Sequence, residues 1–548
     1  MKGQKSLVWL AAALLALPLS ALEVDEAELK NTGGNDSIVF VNYTGPHARI
    51  DSLASIKRLG ADLGAPVAGN AAQPRTAGTS DRYSVIHAVD PAETTGLDAD
   101  IIVIGSGATV DHVDNLRHII AAYLTAAYGY SERDASTLAV FATVYNAVYR
   151  GNLGYFQGKY KQAVLSHLDA QNCGLALNYK EWPGRTQIVI PLYDVARGGI
   201  STVDTSVISD TQVVKRMQDD EDKNIESRKD MVDLKEREAE EASERAQEAQ
   251  KTAVEEQSKL DEEKQKTEEL RKEAEAAKEA ADEAQKEADE AQKAADENPD
   301  DRQAQQEAAE KQEAAAEKQE ELEQKQEELE RQEAAEEEQR QRAEEAQQEA
   351  AGQQEFADRK NAEAQDERRN IAGDQQAVIR QEIENAAAPA TYAIELTDES
   401  SMLSGMIKVN TKTGAVIKSS PVTYIRNRTM FQAGGSYIAI AGENSGNGAV
   451  KLVLLSPDTM EIAAESAETV AENSVLVQDG GDFYCVIQNG GSWVLAKYDQ
   501  TLALKLTSPV PVKSGTPVTI AGSQIVVTGA DGTVHLLNKS DLKDVSGS

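Results

Sequence analysis

Residues 225–260 read IESRKDMVDLKEREAEEASERAQEAQKTAVEEQSKL, and the spacing of their few apolar side chains decides the architecture. Stepping by seven from Ile225 gives Val232, Ala239, Ala246, Ala253, Leu260, Thr267, Ala274, Ala281, Ala288 and Ala295. A companion row, Ala242, Ala249, Leu270, Ala277, Ala284 and Ala291, supplies a second seam position. Almost everything between these rows is Glu, Lys, Gln, Arg or Asp, so the pattern is a heptad repeat on strong helix formers and predicts a left-handed supercoil. A second register follows through Ala308, Ala315, Leu322, Leu329, Ala343, Ala350, Ala357, Ala364, Ile371 and Val378, with Glu336 interrupting it. Between the registers lies Glu297-Asn298-Pro299-Asp300-Asp301, where the proline disfavours helix at the preceding residue and an aspartate can cap the next helix. The coiled coil is therefore expected over residues 211–386, broken at 297–301. Two arrangements satisfy it. One is an antiparallel hairpin with arms of roughly 130 Å, at the 1.5 Å rise of a helix. The other is a kinked rod that pairs with a second molecule, because alanine seams bury little area per residue.

Composition changes abruptly on either side, setting off an N-terminal region at 22–210 and a C-terminal one at 387–548. The first alternates β-branched runs with amphipathic stretches. Strands are expected at Ser37–Tyr43, Tyr83–Val89, Ile101–Ile104 and Thr186–Leu192, and helices at Ser52–Leu63, His112–Tyr128, Ala135–Arg150 and Phe156–Leu168. That order predicts an α/β domain with one sheet, large enough to bury its own core. The C-terminal region reads as all-β with an internal repeat: turns beginning at Asn410, Ser456, Tyr498 and Asn538 are spaced by 46, 42 and 40 residues. Four such units suffice for a small propeller-like domain, the lower end of the usual range, or for an open stack of the same hairpins.

Residues 1–21 read as a signal peptide, with Lys2 and Lys5 ahead of an apolar core at Leu7–Leu19 and cleavage after Ala21; export to the periplasm or outer envelope is the expectation. No cysteine lies near that site, and no later stretch approaches the roughly 18 apolar residues of a transmembrane helix. The two cysteines, Cys173 and Cys485, lie on opposite sides of the coiled coil, so disulfides hold neither flanking domain. A formal charge of −37 leaves no basic patch for nucleic acid or anionic lipid.

Chemistry-bearing motifs are sparse. GSGATV at Gly105–Val110 follows a buried strand and precedes a helix, as a dinucleotide loop would, but Val110 stands where the third glycine belongs and no acidic residue closes a second strand. A tight turn relieved by Gly105 and Gly107 is the plainer reading. Among His47, His87, His112, His118, His167 and His535 none has the i, i+4 spacing of a zinc helix. Neither a Gly-x-Ser-x-Gly elbow nor a Cys-His pairing is evident, so no catalytic, cofactor-binding or metal residue is assigned. The tyrosine-rich cluster Tyr123, Tyr128, Tyr130, Phe141, Tyr145, Tyr149, Tyr155, Phe156 and Tyr160 suits core packing with polar tips better than a partner surface.

The stretch from Asp98 to Phe156, with TVYNAVYRG at Thr143–Gly151 as its most specific part, resembles the spirochaetal high-molecular-weight 83/100 kDa antigen family known from Borrelia and Treponema. The order of domain, coiled coil and β-rich tail matches as well. Membership implies an envelope-associated antigen with no established enzymatic activity or cofactor. The functional expectation is a non-catalytic structural or interaction protein, partnered through its coiled coil by another protein or a second copy. Two other readings remain: a module holding a small molecule or glycan in either flanking domain, and an enzyme whose site leaves no motif.

Overall fold

A computed structural model describes residues 39–48, 51–69, 72–78, 81–193, 195, 200–444 and 448–546. The expected signal peptide lies outside these residues, as do Ser37 and Ile38. The chain divides into two compact units, one formed by residues up to Val232 together with Glu367 onward, the other by Asp233–Asp366.

The N-terminal part of the first unit is an α/β region whose four strands, β1 (Arg75–Ala77), β2 (Tyr83–Ala88), β3 (Asp98–Ile104) and β4 (Thr186–Leu192), pair antiparallel in sequence order. Every side chain of β4 is buried, as is all of β3 but Val103, and each strand ends in an apolar run, Ile101–Ile104 and Ile188–Leu192. Helix α1 (Leu53–Gly64) starts at Ser52, whose hydroxyl accepts from Ser55 N at 3.2 Å. It crosses α2 (Val113–Tyr128) so closely that a Cβ at Gly60 would lie 2.2 Å from Ile119 O. Helix α2 buries Val113, Leu116, Ile119, Ile120 and Leu124, the row its spacing predicts, and stops at Gly129 in the left-handed region. Helix α3 (Glu132–Val148) packs beside it, followed by α4 (Leu153–Gln157), α5 (Gln162–Leu165), α6 (Thr205–Ile208) and α7 (Thr211–Met217).

Two expectations change here. Phe156–Leu168 is not one helix: Leu97 N bonds Lys159 O and Lys161 N bonds Leu97 O, and this extended contact beside the sheet splits it into α4 and α5. Residues 39–43 are not a sheet strand either. Val41 makes a single bridge to Asn178, and Phe40, Val41, Asn42 and Tyr43 are all buried, so the segment is a strap with protein on both sides. Local β-propensity was satisfied by burial instead of by a ladder.

The heptad region forms α8 (Ile225–Glu297) and α9 (Arg302–Ala387). Asp301 caps α9, its carboxylate accepting from Gln303 N at 2.9 Å. In the second compact unit the two helices lie against each other in opposite directions. Their cross-pairs step up one as they step down the other: Lys235–Glu363 at 2.7 Å, Arg271–Glu333 at 2.8 Å, Lys325–Glu273 at 2.6 Å and Lys311–Glu287 at 2.5 Å. The seam is the predicted one. Ala239, Ala246, Ala253, Leu260, Thr267, Ala274, Ala281, Ala288 and Ala295 are buried, and so are Ala308, Ala315, Leu322, Ala343, Ala350, Ala357 and Ala364. Leu329 and Glu336 are half-buried. Gln339 is buried and donates to Glu256 Oε2 at 2.6 Å, and Lys360 meets Glu238 at 3.1 Å with both groups fully covered. The buried Lys360–Glu238 pair fixes register, since sliding by one heptad would bring Arg245 or Met231 opposite Lys360 and strand both charges.

The C-terminal region is all-β and antiparallel, in four repeats: β5–β7 (Ala390–Asp398, Leu403–Asn410, Val416–Ser419), β8–β11 (Ile425–Ala433, Ser436–Ala441, Lys451–Leu455, Ile462–Glu465), β12–β15 (Val477–Asp479, Asp482–Asn489, Ser492–Asp499, Leu504–Pro511) and β16–β18 (Thr519–Ala521, Gln524–Thr528, Val534–Asn538). The repeat turns share one geometry. Gly414 N bonds Asn410 O, Met460 N bonds Ser456 O and Leu542 N bonds Asn538 O, each acceptor four residues back. The third turn is one residue tighter and starts at Asp499 instead of Tyr498, with Leu502 N bonding Asp499 O. Gly414, Met460, Leu502 and Leu542 all have φ between 55° and 76°. At the last three, side-chain burial outweighs the cost of about 1–2 kcal/mol for a left-handed non-glycine residue. The repeats do not close into a propeller. They form sheets of seven, four and three strands, the first two repeats being joined by a lone Ser404–Ile425 pair. Among the described strands none links the fourth repeat back to the first.

Candidate functional site

The strap ends in a junction with the β region of the same compact unit. Tyr43, 2% exposed, stands edge-on to Tyr424 at 4.8 Å and to His47 at 5.5 Å between ring centres. Its hydroxyl donates to Pro46 O at 3.0 Å and accepts from Glu443 N at 3.2 Å. Thr44 donates to Pro421 O, and Ala449 N bonds Pro46 O at 2.8 Å. Burial drives the Tyr43 hydroxyl upward and pushes His47 down to about 3, so both stay neutral; the Asp111 carboxylate lies 3.6 Å from His47 Nε2. The junction is a buried aromatic clasp, suited to holding two regions together.

Beside it opens a cleft of about 760 Å³. The strap residues Val39, Phe40 and Asn42 form one wall and the start of α2 another, with Asn42 Oδ1 accepting from Val113 N at 3.0 Å. The end of α9 contributes Val378, Gln381, Glu382 and Asn385. The turn after α7 brings Asp219, Asp220, Glu221 and Asp222, and Arg117 and Lys418 are the cations. Arg117 pairs with Asp114 at 2.8 Å and lies over the Phe40 ring. His112, on the cleft wall, caps α2 by accepting from Asp114 N at 2.7 Å, which requires a bare Nδ1; burial holds it down at about 4. Burial also pushes Asp220 up to about 6, with Asn224 donating to it and Asp222 adding repulsion.

A carboxyl whose folded pKa exceeds its unfolded value of about 3.9 favours the protonated fold, so its stabilising share is complete below pH 4 and is lost as pH rises through 6. Asp220→Asn keeps an acceptor for Asn224 and removes that penalty. We expect the variant to unfold at higher temperature than the parent at pH 8, by about 1–2 kcal/mol, and to match it near pH 4. A variant less stable at pH 8 would show that the charge is compensated.

The residues singled out by sequence fall into structural places. At the GSGATV turn a Cβ on Gly105 would lie 1.8 Å from Asp81 O, and the Asp81 carboxylate covers Gly107, occupying the space a phosphate would need. His87 Nδ1 meets Asp100 at 2.6 Å across β2 and β3, and Tyr128 donates to the other oxygen at 2.5 Å; both His87 and Asp100 are completely buried. Among the described residues, His535 shows a catalytic-looking line, with Asp544 at 2.6 Å from Nδ1 and Thr533 Oγ1 at 2.9 Å from Nε2. Thr533 also donates to Asp531 at 2.8 Å, so its hydroxyl is shared between the two groups. Cys173 and Cys485 are buried and free, the thiol of each pushed up by burial. Of the aromatic cluster, Tyr123, Tyr130, Phe141, Tyr145, Phe156 and Tyr160 are core. Tyr149 and Tyr155 stack at 3.5 Å and hydrogen-bond Asp210, tying α3 to the start of α7. Among the described residues no cluster has the composition of a metal site. Tyr43 and the Asp219–Asp222 turn carried no motif; the acidic run was legible only as charge.

These features define a multidomain coiled-coil protein, in which paired charged helices separate an α/β region from a β-repeat region in sequence. The profile of the Borrelia P83/100 protein matches residues 27–518, and the chain belongs to that antigen family. No curated protein matches it. No described helix is long and apolar enough to cross a membrane.

Proposed function

We propose that this chain is a non-catalytic structural or interaction protein of the cell envelope, exported to the periplasm or outer envelope, whose mechanism is geometry. The coiled coil acts as an antiparallel hairpin that spaces or presents a binding face, in a chain that also carries the α/β and β-repeat regions. One observation carries this reading: α8 leaves the first compact unit at Val232 and α9 returns to it at Glu367, with opposed cross-pairs between. Antiparallel pairing within one chain accounts for that return, and the buried Lys360–Glu238 pair sets its register. A second reading, a ligand- or glycan-binding module, is favoured by the cleft beside the strap, whose apolar wall and convergent polar groups suit a small molecule.

Two measurements test the first reading. In a Glu287→Cys, Lys311→Cys variant, whose native cysteines are buried, oxidation should yield a disulfide within one chain. Covalent dimers instead would make the coil intermolecular. Photoreactive side chains at the exposed positions Val254 and Glu279 in living cells should then form adducts with a defined envelope protein or a second copy. Adduct-free, normally exported protein at both positions would remove the presenting role from the hairpin.

A further inference from the structure

Among the described residues, the β-repeat region makes one kind of interface three times and leaves two faces of the same kind partly open. On β9, Ile438 and Ile440 pack toward the third repeat, whereas Ala439 and Ala441 pack toward the first. On β13, Phe483, Cys485 and Ile487 face the second repeat, whereas Tyr484 and Val486 face the fourth. Inner repeats are thus apolar on both faces, as strand periodicity requires of a sheet covered on two sides.

The outer repeats carry the same pattern with one side covered. In the first, Met406 points into the cluster shared with the second repeat, so Ile407 and Val409 point the other way. They are half-buried, and Val416 of β7 is 48% exposed. In the fourth, Ile525, Val527 and Leu537 point inward; Val526 and Leu536, paired in register on the opposite face, are half-buried and Val534 is 63% exposed. Both end faces thus present apolar ladders like those that the interior sheets cover.

We propose that a second copy of this chain covers them. The fourth repeat of each copy stacks on the first repeat of its partner, giving a closed ring of eight repeats about a two-fold axis. Continuity with the three internal interfaces is the argument for this occupant: the open faces need a sheet of the kind the chain itself supplies. Closure is the argument for two copies. A head-to-tail contact either closes or polymerises, and two four-repeat halves together reach the eight blades at the top of the usual propeller range. This proposal goes beyond the hairpin reading, and a chain that passes the cysteine test yet stays monomeric would defeat it alone.

The test is multi-angle light scattering on the full mature chain, as purified and as Val534→Lys or Val416→Glu variants, whose sites are exposed enough to leave each fold intact. The parent should have twice the chain mass, each variant alone the mass of one chain, and an equal mixture of the two variants should recover dimer. A monomeric parent at the highest attainable concentration overturns the proposal. So does a dimer indifferent to both substitutions, which assigns association to another surface, and so does a ladder of masses beyond two, which means that the ends join without closing.

Discussion

Arg228→Ala should cost about 3–5 kcal/mol, the largest single effect expected in the coiled-coil region. Arg228 is fully buried where α8 begins, its Nε 2.6 Å from Glu367 and its Nη1 2.7 Å from Asp374, both on α9. Its Nη1 also reaches Lys223 O at 3.2 Å, so the guanidinium closes the turn ahead of α8 as well. Burial works against the Asp374 carboxylate, but hydrogen bonds from Arg228 and Gln218 hold it below its usual range. Truncation removes the cation between the Glu367 and Asp374 carboxylates and leaves Asp374 only the Lys223 cation, at 3.9 Å, and that poorly compensated charge is the main cost. Arg228→Met should be milder, since it refills the volume. Lys229→Ala, one residue on, removes only a half-exposed pair with Glu226 and should change stability by less than about 0.5 kcal/mol. Thermal loss of helical signal, compared across the three variants, reads the difference. An Arg228→Ala variant that melts with Lys229→Ala would mean that the pair stabilises nothing.

The heptad rows show why that region was readable in advance. A residue every seventh position needs only its own helix and one neighbour to become buried, and Ala239 through Ala295 obey it without exception. The repeat turns were equally local: four residues and one left-handed position suffice to make each, and the phase read from Asn410, Ser456 and Asn538 is the phase observed. What failed was global. Whether four repeats close depends on the rotation between successive sheets, which no strand pattern encodes. Val39–Tyr43 has the composition of a strand, yet no ladder is there to receive it, because Asn178 offers one bridge and the rest of the segment is claimed by packing. The junction was illegible for the same reason: Tyr43 meets Glu443 across 400 residues, and a single sequence gives no sign that the two are neighbours.

Tyr43→Ala should release the strap, at a cost of about 3–5 kcal/mol for a buried aromatic replaced by a cavity. The ring touches elements on both sides: edge-on contacts to Tyr424 and His47 are lost together, and the backbone of Pro46 loses the hydroxyl that fixes it. The readout is local. Ala449 N–H bonds Pro46 O and Glu443 N–H bonds the tyrosine oxygen, so both amides belong to the β region while their acceptors belong to the strap. Hydrogen exchange at these two amides should accelerate by at least about a hundredfold, since each 1.4 kcal/mol of lost local stability is a factor of ten. Amides of β13, buried between two repeats, should keep their protection. Tyr43→Phe separates the two contributions. It keeps the ring contacts and deletes only the hydroxyl, leaving Glu443 N unpaired at about 1–3 kcal/mol while Pro46 O keeps its bond from Ala449 N, so exchange at Glu443 should rise more than at Ala449. If Tyr43→Ala leaves both amides protected, the strap is held by Thr44 and the Asn42–Val113 contact, and the aromatic clasp is not what joins the two regions.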